Sequence, residues 1–126
     1  MNQAKFERMV AKAVDSLPDE FRAELENIVM VVAQHPTHSQ LSEAGLKRDE
    51  TLLGLYQGVP LTKRGRYYGM TIPDKITIFQ KPIEANCSYD AEIMAEIQRV
   101  VQHEIAHHFG IGDTRLQQLE RDKDLL

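Results

Sequence analysis

The chain has a single cysteine, Cys87, so no intramolecular disulfide can staple the fold. It also lacks an excess of positive charge. Its 15 Lys and Arg are mixed among 19 Asp and Glu for a net charge of −4, which argues against general nucleic-acid binding. No apolar stretch approaches the roughly twenty residues needed to span a bilayer, the longest being Ile28 to Ala33. The opening Met1-Asn2-Gln3-Ala4-Lys5 has no apolar core of the signal-peptide kind, so the cytoplasm is the expected address. Repeats and low-complexity segments are absent too. With 126 residues, the expectation is one domain, 1–126, large enough for a single core and too small for a second lobe. Any cleft should therefore be open on one side.

Hydrophobic periodicity predicts a mixed order of helices and strands. Phe6, Met9, Val10, Ala13 and Leu17 mark an amphipathic first helix, and Ser16-Leu17-Pro18-Asp19-Glu20 opens a short second one. Ile28 to Ala33 is β-branched enough to be a buried strand. His35-Pro36-Thr37 breaks it, Ser39 to Ala44 forms a helical turn closed by Gly45, and Thr51 to Tyr56 is the next strand. Lys47 to Glu50 is a solvated charge run. Tyr67 to Ile72 and Lys75 to Gln80 follow as further strands, separated by Pro73-Asp74. From Asp90 onward, Ile93, Ile97, Val100, Val101, Ile105 and Phe109 keep to one side of a long helix. Thr114 to Leu119 closes the order as a short helix. The expected class is α+β: a small mixed sheet, one long functional helix and a short C-terminal helix.

That long helix carries His103-Glu104-Ile105-Ala106-His107, followed by Gly110 and Asp113, which is H-E-x-x-H with G-x-x-D. Residues four apart share a helix face, so His103 and His107 can aim two imidazoles at one metal ion with Glu104 beside them. Glu104 falls near the middle of the core-facing stripe. A carboxylate there costs several kcal/mol, by the magnitude of buried-charge penalties, unless it is paired or hydrogen-bonded. A catalytic zinc keeps three protein ligands and an open position, so two histidines leave the set one short. Asp113 can supply the third if the chain folds back. A straight helix would carry it about 9 Å along the axis from His107, and Gly110 is placed to stop the helix in a left-handed cap. The competing reading of Asp113 is the N-cap of the segment that follows it. His108 points about a hundred degrees away from His107 around the helix and is expected to be a satisfied inner-face histidine. His35 and His38 are expected in solvent.

The chain resembles the minimal zincins, a family of small zincin-like metallopeptidases with H-E-x-x-H-H-F-G-I-x-D near the end of the domain. The likeness also covers Phe6 to Val10 with Asp15 to Pro18, Leu53 to Thr62 with Arg64-Gly65, and Ile72-Pro73-Asp74-Lys75-Ile76-Thr77. It implies His103, His107 and Asp113 as zinc ligands, one ion per chain, and Glu104 as general base. Other zinc peptidases fit less well. Metzincins place a methionine turn after the motif, whereas no methionine follows Met94. Gluzincins need a glutamate from a later helix, and Glu120 is too close. Peptide deformylases use an upstream cysteine in a local motif that Cys87 lacks, and Cys87 is expected to be free and buried.

Together these readings imply a zinc-dependent peptidase acting on a peptide or protein substrate. In zincins an edge strand beside the active-site helix pairs with the substrate, and Lys75 to Gln80 or Tyr67 to Ile72 could be that edge. Tyr67 and Tyr68 are expected to pack at a sheet rim rather than act on the substrate. Two other classes remain: a zinc-binding adaptor domain that binds peptides without turnover, and a metal-dependent endoribonuclease with related histidine spacing. Aspartate at the last position, Glu104 and the acidic balance count against the latter.

Overall fold

The computed structural model describes residues 1–23, 25, 28–46, 51–58 and 74–109. Its elements in chain order are α1 (Gln3–Asp15), α2 (Asp19–Arg22), β1 (Ile28–Ala33), α3 (His38–Glu43), β2 (Gly54–Gln57), β3 (Asp74–Phe79), α4 (Gln80–Ala85) and α5 (Asp90–His108). The three described strands form one mixed sheet in the order β1-β3-β2, with β1 parallel and β2 antiparallel to β3. This is the α+β arrangement that the alternation of periods predicts. The expected strand 67–72 and terminal helix 114–119 lie outside the described residues.

Register decides which side chains meet α5. Ile76 lies opposite Met30 and Tyr56, and Ile78 opposite Val32 and Gly54, so these residues share one face of the sheet. That face packs on α5, whose Ile93, Ile97, Val100, Val101 and Ile105 are all buried at 3.6-residue spacing. α1 packs against α5 with Phe6, Val10 and Ala13 buried in the same core. Each fully buried aliphatic side chain contributes about 1.5–3 kcal/mol of transfer free energy, which makes this shared core the main stabilising feature. Lys5 of α1 also meets Asp90 at 2.6 Å, but both side chains are exposed and such a pair adds little.

Local signals explain most element ends. α1 is capped by Asn2, whose side chain accepts from the Lys5 N–H. α3 has a reciprocal capping box between Thr37 and Gln40, and the chain leaves it through Gly45 at φ 76°, where glycine avoids the Cβ penalty. His35 and His38 are exposed, as expected.

Three differences from the sequence reading have physical causes. β2 begins at Gly54, not Thr51, although the Leu53 carbonyl still accepts from the Phe79 N–H at 3.0 Å. Helix α4 arises directly at the end of β3. Its Pro82 sits in the first turn, where a missing N–H leaves no helical hydrogen bond unmade. Finally, the segment 75–80 is no edge: β3 is hydrogen-bonded on both sides. Among the described strands the edges are β1 and β2, and β2 is the one that borders α5 closely.

Cys87 is free and half-buried rather than buried, packed against the core. Burial, then the negative charges of Glu96 and Glu92, raise its thiol pKa, so less thiolate is present at a given pH. Alkylation of the native protein by iodoacetamide near pH 8 should run slower than that of the urea-unfolded chain; equal rates would contradict this placement.

The approach of α5 to β2 leaves no room for a side chain at residue 54. A Cβ there would lie 2.6 Å from Val100 Cγ1 and 3.1 Å from Glu104 Cγ. Gly54→Ala should therefore destabilise the protein by about 1–3 kcal/mol through overpacking, read as a lower urea midpoint at unchanged slope.

Candidate metal centre

The last turns of α5 carry the histidines and the glutamate of the H-E-x-x-H run. Helical spacing brings the His103 and His107 rings to 4.7 Å between centroids, inclined at 68°. Glu104 lies between them, with Oε2 at 3.3 Å from His107 Nδ1. One ligand atom from each of the three residues falls within 4.8 Å of the others. Both imidazoles are half-buried, so each reaches solvent at one edge, whereas Glu104 is only 6% exposed.

The burial of Glu104 follows from its place on the stripe, one turn beyond Val100, and from the absence of a side chain at Gly54 opposite. Its Oε2 is buried and makes no hydrogen bond among the described residues, with His107 Nδ1 3.3 Å away as an ion-pair neighbour only when that ring is protonated. Leaving a buried polar atom without a partner costs about 1–3 kcal/mol, more when it is charged, so this oxygen calls for a ligand. The donor set suits a first-row divalent ion: two neutral imidazoles are borderline donors that zinc accepts readily, and a carboxylate next to them can serve the ion or its water.

A cleft of about 210 Å³ opens beside this cluster. Residues 51–54 form one wall, and Arg99, Val100, His103 and Glu104 of α5 form the other. Two of the three candidate ligand residues, His103 and Glu104, thus line a cavity whose other walls mix apolar Leu52, Leu53 and Val100 with polar Thr51 and Arg99. Arg99 is oriented by Glu96, which takes hydrogen bonds from its Nε and Nη2.

His108 turns away from the cluster into the core, as its angle on the helix predicts. It is fully buried with Nδ1 2.6 Å from Asp74 Oδ2, and the same oxygen accepts from the Tyr56 hydroxyl at 2.7 Å. Residue-by-residue reading misses this partnership. A carboxylate at the head of an apolar strand is the only local sign of it, and nothing local says which helix the strand will meet.

The structure thus brings together His103, Glu104 and His107. Asp113, Tyr67 and Tyr68 lie outside the described residues. α5 ends at His108 with Phe109 as C-cap, which puts Gly110 just past the cap, where the sequence expects the chain to turn.

Comparison with known proteins agrees with this architecture. The sequence profile of a family described as zincin-like metallopeptidase matches residues 25–123. Among solved structures, a conserved hypothetical protein from Thermus thermophilus is similar, with a TM-score of 0.57 and 18% identity over 86% of this chain and 94% of that one. At that identity the likeness concerns the fold. No curated protein sequence matches the chain. With the profile spanning the sheet, the long helix and the H-E-x-x-H cluster, the chain belongs to the zincin-like metallopeptidase family.

Proposed function

We propose that this protein is a zinc-dependent metallopeptidase that hydrolyses peptide bonds in the cytoplasm. The observation that carries the proposal is the clustering of His103, Glu104 and His107, with ligand atoms within 4.8 Å of one another, around a buried Glu104 Oε2 that makes no hydrogen bond among the described residues, beside a cleft lined by His103 and Glu104. His103 and His107 would hold the ion, with Asp113 as the third ligand. A zinc ion bound there would act as a Lewis acid on a water molecule and on the scissile carbonyl.

The protein's own groups account for the remaining chemistry. Glu104 is held close to the histidine cluster by α5 and by the contact at Gly54, so its carboxylate can take a proton from the attacking water and deliver it to the leaving amine. Burial of Glu104 excludes bulk water from one side of that carboxylate. The open side of the cleft admits an extended chain, and apolar Leu52, Leu53 and Val100 offer a surface for a substrate side chain.

One observation favours a second reading. The cleft, at about 210 Å³, is smaller than the usual ligand site of roughly 300–1,000 Å³, as suits a domain that binds a peptide at a zinc-organised surface without turning it over.

Elemental mass spectrometry on untagged protein should find about one zinc per chain, and His103→Ala combined with His107→Ala should abolish it. The wild type remaining metal-free after zinc loading would overturn the proposal. Glu104→Gln should keep the zinc while peptide hydrolysis falls by a factor of about 10²–10⁴, the contribution typical of a positioned acid–base group. Undiminished turnover in that variant would remove Glu104 as the base. Tight peptide binding by the zinc-loaded wild type, with no cleavage, would establish the second reading.

A further inference from the structure

Three elements meet at one carboxylate. Asp74, the first residue of β3, is fully buried, and its Oδ2 receives both the Tyr56 hydroxyl of β2 and Nδ1 of His108, the last residue of α5. With Asp74 as a carboxylate, which only accepts, the Tyr56 hydroxyl and His108 Nδ1–H are the donors. The backbone closes over the same group: a Cβ at Gly58 would lie 2.4 Å from Asp74 Oδ1.

We propose that Asp74, Tyr56 and His108 form a positioning clamp for the metal centre, seating the last turn of α5 on the sheet so that His107 and Glu104 keep their places around the ion. The inference rests on the metal-site reading above.

Spacing is the first support. His108 follows Glu104 by four residues on α5, and Tyr56 follows Gly54 by two on β2, each pair sharing a face of its element. One helical turn advances about 5.4 Å and two strand residues about 6.7 Å, so the two contacts run side by side. Gly54 lies against Glu104, and the Tyr56 ring meets the His108 ring edge-on at 5.9 Å between centroids. A hydrogen bond that fixes 56 against 108 therefore also fixes 54 against 104. A slip of α5 along the strand would break the clamp and move the Glu104 carboxylate with it.

Chemistry is the second support. A buried ionic or polar cluster is seldom the most stable filling for a core, since apolar residues of similar volume do as well or better. Its advantage is direction: two short hydrogen bonds to one oxygen define axial position and rotation, while aliphatic packing tolerates small shifts. His107 is joined to His108 by one peptide bond, so rotation of the final turn is transmitted to the ligand ring without an intermediary.

The test is zinc affinity, measured by chelator competition, with the visible spectrum of the cobalt-substituted protein as a report on ligand geometry. Tyr56→Phe removes only a hydroxyl and preserves shape. His108→Leu removes the donor, and His108→Asn restores one near the position of Nδ1. Ile83→Val, a core change on α4, is the control for stability alone. The clamp predicts a loss of zinc affinity of about tenfold or more for His108→Leu, the range seen when groups supporting metal ligands are removed, with partial recovery in His108→Asn. It also predicts a smaller loss with an altered cobalt spectrum for Tyr56→Phe, and unchanged affinity for Ile83→Val despite a lower melting temperature. Wild-type affinity and spectrum in both His108→Leu and Tyr56→Phe would overturn the clamp and leave the metal site standing. If His108→Leu does not fold, Tyr56→Phe decides alone. A wild type that binds neither zinc nor cobalt would overturn the metal site and the clamp together.

Discussion

A carboxylate held out of water against a sheet is the constraint on which the rest of this structure depends. Glu104 can be buried only because α5 lies close to β2, and α5 can lie so close only because residue 54 is glycine. The same approach places Val100 against the strand and leaves the cleft on the open side of the helix. Core packing and site geometry are thus not separate features. The stripe that buries Ile97, Val101 and Ile105 continues into the group assigned to proton transfer.

This arrangement trades stability for chemistry. An apolar residue at 104 would complete the stripe and avoid a buried oxygen that makes no hydrogen bond among the described residues, a gain of about 1–3 kcal/mol by the usual cost of a buried unsatisfied group. Against a net stability of only about 5–15 kcal/mol for a domain, that penalty is large enough to need compensation. Compensation comes from the contact of α1, α5 and the sheet, where Phe6, Ile76, Ile78 and Ile97 are all completely buried. A bound ion would supply more, because ligand binding to the folded state adds directly to its stability.

The parts of this fold legible in the sequence are those written in local order. α5 could be read from Asp90 because its stripe repeats every 3.6 residues, and the His103–His107 pair because the two candidate ligands are four residues apart on one helix. β1 coincides with the apolar run Ile28 to Ala33 for the same reason. What could not be read depends on contacts between distant segments. Strand order is one case: Ile76 and Ile78 mark a buried face, but nothing in that alternation says that β3 has neighbours on both sides. The partner of His108 is another, since Asp74 is 34 positions away along the chain. α4 is a third, since its six residues are too few to display a helical period, and its start is set by the end of β3.

The size of the domain bears on how such a site is kept in order. Larger proteins can fix a metal-binding helix from several sides with added lobes. Here the described elements that pack most extensively on α5 are α1, α4 and the two strands β2 and β3, with Phe21 of α2 meeting Phe109 at its C-cap. Packing against α1 restrains tilt, yet an apolar interface without directional bonds, here Phe6, Val10 and Ala13 against α5, resists sliding weakly. Resistance to sliding has to come from features that fix position: the notch at Gly54, which admits Val100 and Glu104 in one register only, and the hydrogen bonds from Tyr56 and His108 to Asp74. Both features act between β2 and the final turns of α5, within two strand residues of each other. Among the described residues, one polar core cluster, around Gln80, ties α4 to Gln34 and Met1, while the other, around Asp74, lies beside the candidate ligands, where a small domain with few walls would need it to hold a metal site.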